Sequence, residues 1–105
     1  MELGRQLREA HATIKSLAVD RVEQRIASIL LKLADQLGAQ EKGGVVLNLS
    51  LTRQDLADIA GTTVETTIRV MSRFTKSKII KPVSGKILIL DSPALRLIAE
   101  GKEGS

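Results

Sequence analysis

The chain has 105 residues, 43% hydrophobic and 27% charged, which suits one small domain with a single core. It contains no cysteine and one histidine, His11, which excludes disulfides, thiolate metal sites, iron–sulfur clusters and His-based metal clusters in this segment. The formal net charge is +4 and no apolar run approaches the roughly 18 residues of a membrane span, so a soluble cytoplasmic chain with no membrane partner is expected.

Leu3, Leu7, Ala10, Ile14 and Leu17 are spaced 4, 3, 4 and 3, the a/d seam of a coiled coil. A seam this short does not offset its nucleation and ordering costs alone, so it wants a partner helix. Residues 1–19 are therefore expected to be the C-terminal end of a dimerisation helix with its hinge, continuing from something upstream. The competing arrangement folds them back onto the chain's own core. His11 flanks the seam and is expected to face solvent. Arg21 breaks the spacing, and from there Val22, Ile26, Ile29, Leu30, Leu33 and Leu37 form a broader face suited to a core. Asp20 with Glu23 three residues later resembles a capping box with Asp in the Ser/Thr place. A new helix should begin at Asp20, leaving Leu17 to Asp20 as the hinge.

That helix should end near Gly38, with Ala39 to Gly44 (AQEKGG) a polar loop. Val45, Leu47 and Leu49 alternate with Val46, Asn48 and Ser50, the period of a half-buried strand. Residues 51–74, LTRQDLADIAGTTVETTIRVMSRF, then read as helix, tight turn and second helix. Thr52 can cap the first helix with Asp55 suited to its positive start. Leu56, Ile59 and Ala60 share a face with Ala57 beside it, and Gly61 can take the positive φ that redirects the chain. On the second helix Thr67, Val70, Met71 and Phe74 fall on one side, with Glu65, Arg69, Ser72 and Lys76 opposite. This is the pattern of a helix-turn-helix, whose second helix enters a DNA major groove, although an ordinary helical hairpin has the same periodicity.

Ile79 to Val83 and Lys86 to Leu90 flank Ser84-Gly85, the signal of a hairpin, with Pro82 suited to an edge strand. A hairpin directly after a helix-turn-helix is the wing of a winged helix. Ser92 followed by Pro93 offers a cap and a first-turn proline for a short helix through Ala99 that stops at Gly101. The expected fold is mainly α with a small β component: a winged helix-turn-helix over residues 20–101, preceded by a long helix belonging to a dimer interface and followed by a frayed tail at 102–105.

Charge separates this pattern from a plain hairpin. Residues 51–90 hold seven basic side chains against three acidic ones, a net of +4, while the rest of the chain is neutral. No acid occurs between Arg69 and Lys86, so the excess follows the second helix and the wing, where a polyanion would be met.

The ordered set Thr52-Arg53-Gln54, Gly61, Thr63, Glu65-Thr66 and Arg69 lies between a VEQRIASILLKLA helix and a Ser-Gly hairpin. It resembles the C-terminal DNA-binding domain of the cyclic-AMP receptor protein and fumarate-nitrate regulator (Crp/Fnr) superfamily, over nearly the whole chain. The resemblance implies a homodimeric transcription factor that binds double-stranded DNA at an inverted repeat. An N-terminal β-roll would sense an effector; with that part outside this sequence, no cofactor is expected in the segment and the effector is unknown. By the same resemblance Glu65 accepts from a cytosine amino group and Arg69 donates to a guanine. Gln54, Thr63 and Thr66 hydrogen-bond phosphates, with Arg53, Ser84, Gly85 and Lys86 nearby, and Arg73 and Lys76 add electrostatics to the DNA backbone or nothing. Val64 before Glu65 looks like the fumarate-nitrate branch, where a serine stands at the place of Ile68. Here Ile68 either touches a thymine methyl as a third base-reading residue or leans into the core. Ala39 to Gly44 lies where some relatives touch RNA polymerase, a further partner.

Each role has a local alternative. Glu65 can close a Thr62-x-x-Glu box, Arg69 can pair with Glu65 one turn away, and Thr63 and Thr66 can serve as caps. A winged helix used for protein–protein docking, with the seam as its oligomerisation element, is the other function class, although the basic excess argues against it. Enzymatic chemistry is not expected, because no nucleophile and base pair has an evident home. Phe74 is the only aromatic residue and belongs to the core face, which disfavours single-strand and RNA binding.

Overall fold

The computed structural model describes residues 21–41 and 43–101. The dimer seam Leu3, Leu7, Ala10, Ile14 and Leu17, the hinge to Asp20 and the tail 102–105 lie outside the described residues.

Helix α1 covers 21–37. Val22, Ile26 and Leu30 are buried as their spacing predicts, and Ala27 joins them because a methyl-sized side chain lets neighbouring elements approach. Ile29 and Leu33 are half-buried, whereas Leu37 is 43% exposed: the face assigned to the core runs one turn too far. The chain passes directly into strand β1, Gly38–Glu41, which pairs antiparallel with β2, Gly44–Leu47. The expected AQEKGG loop is thus largely a hairpin arm. Its residues carry no apolar alternation, and β2 supplies the pairing that makes them a strand. Strand β2 stops at Leu47, two residues before Leu49, where the Leu49 N–H turns back to the Leu47 carbonyl at 2.9 Å and the Asn48 N–H donates to Leu37.

Helix α2, Arg53–Ala60, starts in a full capping box: the Thr52 side chain accepts from the Asp55 N–H and the Asp55 carboxylate from the Thr52 N–H. It ends at Gly61, whose φ of 70° allows the Gly61 N–H to reach the Asp58 carbonyl and the Thr62 N–H the Ala57 carbonyl. Leu56, Ala57 and Ala60 are buried, but Ile59, expected beside them, is 58% exposed. Burial takes in the Leu56, Ala57 and Ala60 side of the helix, and Ile59 faces a shallow groove that it lines with Arg21, Arg25 and Ala99. Helix α3, Val64–Lys76, buries Thr67, Val70, Met71 and Phe74, the stripe its spacing predicts. The one polar member, Thr67, donates its hydroxyl to the Thr63 carbonyl at 3.0 Å, so its burial leaves no donor unsatisfied.

Strands β3, Ile80–Val83, and β4, Lys86–Ile89, form the wing, and the sheet order is β1-β2-β4-β3, antiparallel throughout. Ser84 and Gly85 have φ of 50° and 77°, the double positive φ of a two-residue hairpin turn that follows the strands' twist. Pro82 lies on the edge strand, as expected. Helix α4, Ser92–Ala99, is capped by Asp91, whose carboxylate accepts from the Ala94 N–H, and not by Ser92; Pro93 is tolerated inside the first turn, where its missing N–H has no intrahelical partner to lose.

The core joins all of these layers. Ile26 and Leu30 of α1, Leu56 of α2, Val70 and Phe74 of α3, Leu47, Ile80 and Ile89 of the sheet and Leu95 of α4 form one cluster. Each such side chain contributes about 1.5–3 kcal/mol on burial, so the angle at which α3 is held is set by many neighbours at once.

Candidate nucleic-acid interface

The outer side of α3 is built by the same periodicity that buries its inner side. Glu65, Ile68, Arg69, Ser72, Arg73, Thr75 and Lys76 are exposed, and Ile68 is 47% so. Ile68 therefore does not lean into the core, one of the two alternatives its position left open. Glu65 and Arg69, one turn apart, point away from the buried stripe at the N-terminal half of the helix, the part that reaches base edges in a helix-turn-helix.

Thr63, and not Thr62, caps α3. The Thr63 Oγ1 accepts from the Thr66 N–H at 3.1 Å and lies 3.0 Å from the Thr66 Oγ1. Glu65 is thus the second residue of the helix and does not stand where a reciprocal box would need it. One hydroxyl proton bridges Thr63 and Thr66, which leaves the other for an acceptor outside the protein. The positive end of the helix dipole adds to it, so the start of α3 combines an available donor with a field that favours an anion.

Helix α2 packs on α3, and α3 on β3. Arg53 and Gln54 are exposed at the start of α2, where Gln54 Nε2 donates to Asp58 Oδ1 at 2.8 Å and keeps the amide along its own helix. Ser84, Gly85 and Lys86 form the exposed wing turn, and Lys76 is exposed at the end of α3. Arg73 behaves differently. Its Nη1 lies 2.6 Å from Glu23 Oε1 of α1, so part of the positive charge expected for a polyanion is already answered inside the protein.

Two residues that hold this surface had no mark in the sequence. Glu23 is 5% exposed and engages Arg73 of α3, while the cap expected of it with Asp20 lies outside the described residues. Arg25 donates from Nη1 to the Ala60 carbonyl at 2.9 Å, satisfying a C-terminal carbonyl of α2 from a residue 35 positions away. Neither interaction has a local spacing that would reveal it.

Among the described residues no group of three or more His, Cys, Asp or Glu is placed to hold a metal ion, and no described helix is long and apolar enough to cross a membrane.

The family model of the Crp-like helix-turn-helix domain matches residues 24–98. The chain is 34% identical over 100 residues to the transcriptional regulator SdrP of Thermus thermophilus, covering 95% of this chain and 49% of that protein. It is 31% identical over 93 residues to a CRP-like cAMP-activated global transcriptional regulator of Mycobacterium tuberculosis, covering 89% of this chain and 42% of that one. Among solved structures, the catabolite activator protein of Thermus thermophilus superposes with a TM-score of 0.78 at 28% identity, over 95% of this chain and 44% of that chain. The chain thus spans about half the length of these relatives or less.

Proposed function

The chain belongs to the Crp-like helix-turn-helix domain family, and on that premise we propose that it binds double-stranded DNA sequence-specifically and regulates transcription in the cytoplasm. It does so as a homodimer on an inverted repeat, within a protein whose other half senses an effector. The observation that supports this reading most is the outward pair on α3: Glu65 and Arg69 stand exposed, opposite a fully buried stripe. A carboxylate that accepts from cytosine beside a guanidinium that donates to guanine is the complement of a G·C-containing major-groove edge. Thr66 with Thr63, Gln54, Arg53, Lys76 and the wing turn Ser84 to Lys86 supply phosphate contacts that fix register.

Selection of bound duplexes from a random pool, repeated at several salt concentrations, tests the proposal. The expected result is an inverted repeat whose half-sites lie about one helical turn, roughly 34 Å, apart, with affinity falling steeply as salt rises. Equal recovery of every sequence would overturn it.

A further inference from the structure

Ile59 is 58% exposed, more than any other large apolar side chain among the described residues, and it does not stand alone. With Ile29, Ala60 and Ala99 it supplies the apolar part of a groove between α1, α2 and α4. The charged side chains lining that groove are Arg21, Arg25 and Lys32, all of them basic. Together with Ser28 they follow one another at 4, 3 and 4 residues, a stripe along one face of α1 that runs about 16 Å.

These cations are not answered inside the protein. Among the described residues no carboxylate pairs with Arg21, Arg25 or Lys32, in contrast to Arg73. The bond from Arg25 Nη1 to the Ala60 carbonyl, 2.9 Å, holds that guanidinium at the groove and leaves it further N–H donors. No residue of α3 or of the wing lines the groove, so it lies apart from the surface that carries Glu65 and Arg69.

Charge and apolar surface together decide among occupants. An isologous contact with a second copy would bring the cationic stripe close to its own image. Residues 1–20 hold three acidic and three basic side chains and so offer no net complement. A duplex would answer the cations but set its sugar-phosphate backbone against Ile59. An amphipathic helix satisfies both requirements, with an apolar stripe on Ile59 and carboxylates one turn apart along Arg21, Arg25 and Lys32.

We propose that this groove is a docking surface for an acidic amphipathic helix of a partner protein. The proposal stands on the groove alone and adds a protein partner to the DNA-binding reading. The probe is a synthetic helical peptide of about fifteen residues, leucines on one face and glutamates flanking them, added to the isotope-labelled full chain and followed by NMR. Amide shifts should move at Ile59, at Ala99 and along α1 from Arg21 to Lys32. Ile59→Ser and Lys32→Glu should each weaken binding about tenfold, one by removing the apolar anchor and the other by setting acid against acid. Lys86→Glu, the same charge reversal at the wing, should change it less than about twofold at physiological salt, where distant charges are screened. Equal binding by the wild-type and Ile59→Ser chains overturns the proposal. So do shifts centred on α3 and the wing with displacement of the peptide by a duplex, which put it on the DNA surface. Loss of self-association on Ile59→Ser, in sedimentation without peptide, overturns it by making a second copy the occupant.

Discussion

Glu23 Oε1 lies 2.6 Å from Arg73 Nη1, which ties α1 to the last turns of α3. The two partners are unequal: the Glu23 side chain is 6% exposed and that of Arg73 53%. Removing the acid lets the guanidinium rehydrate, whereas removing the base takes the cation from a carboxylate that water scarcely reaches. Loss of one partner of a fully buried pair costs about 3–5 kcal/mol, and an exposed pair contributes less than about 1 kcal/mol. Arg73→Met should therefore lower stability by about 2–4 kcal/mol and Glu23→Gln by about 1–2 kcal/mol, as read from urea unfolding. Equal costs would show that the carboxylate is as well hydrated as its partner.

Gly61 separates backbone conformation from packing. An added Cβ there would meet only Arg25 Nη1, at 3.8 Å, an ordinary approach, so the cost of Gly61→Ala comes from holding an L-residue at φ 70°. That is about 1–2 kcal/mol. Gly44→Ala is expected to cost more although its φ needs no glycine, because the new Cβ would run into the Ile89 carbonyl oxygen and push β2 off β4. Unfolding midpoints of the two variants give the order directly, and a milder Gly44→Ala would mean that β2 and β4 separate with little loss.

The elements that the sequence made legible are those whose signal is local. The α3 stripe, the Thr52 capping box, the positive φ at Gly61 and the Ser84-Gly85 turn each depend on residues within one or two turns of each other. What escaped depends on partners far along the chain. Strand β1 has the sequence GAQE and becomes a strand by pairing with Val45 to Leu47. Ile59 satisfied the helical period, but the packing of α2 on the rest of the domain buries Ala57 and leaves Ile59 exposed. Glu23 and Arg25 look like surface charges until α3 and the end of α2 are set against them. Asp91 and Ser92 are both competent caps, and only the start of α4 distinguishes them. The outward pair on α3 was legible for the same local reason as its stripe, while the DNA contacts proposed for the wing would depend on a partner that no spacing in the chain encodes.

Base readers and backbone-binding residues should fail in different ways. Glu65→Ala or Arg69→Ala should each cost about 1–3 kcal/mol on the best duplex and relax the selected sequence at one position per half-site. Lys86→Ala at the wing turn should weaken all sequences alike and make the slope of log affinity against log salt shallower by roughly 0.9 for each phosphate left unneutralised. Site selection and salt titration on the three variants separate the two classes. Uniform loss from Arg69→Ala would remove it from base reading.

Thr63 is the position at which a structural role and a DNA role pull apart. Its hydroxyl oxygen caps α3 by accepting from the Thr66 N–H, so Thr63→Ala should cost about 0.5–2 kcal/mol of stability whether or not DNA is present. Thr63→Asp keeps a cap oxygen and adds a negative charge at the positive end of the helix, so the folded protein should be as stable as wild type or more so. If the start of α3 faces a phosphate, that charge stands against another anion, and the Thr66 hydroxyl, which Thr63 leaves free by donating to it, turns to the new carboxylate. Binding should then fall by about tenfold or more, on every sequence alike, since phosphate contacts carry no base information. Thermal unfolding paired with binding to the selected duplex reads both effects on one protein. A Thr63→Asp variant that keeps wild-type affinity would reduce Thr63 to a helix cap and shift the phosphate-binding role to Gln54 and the wing.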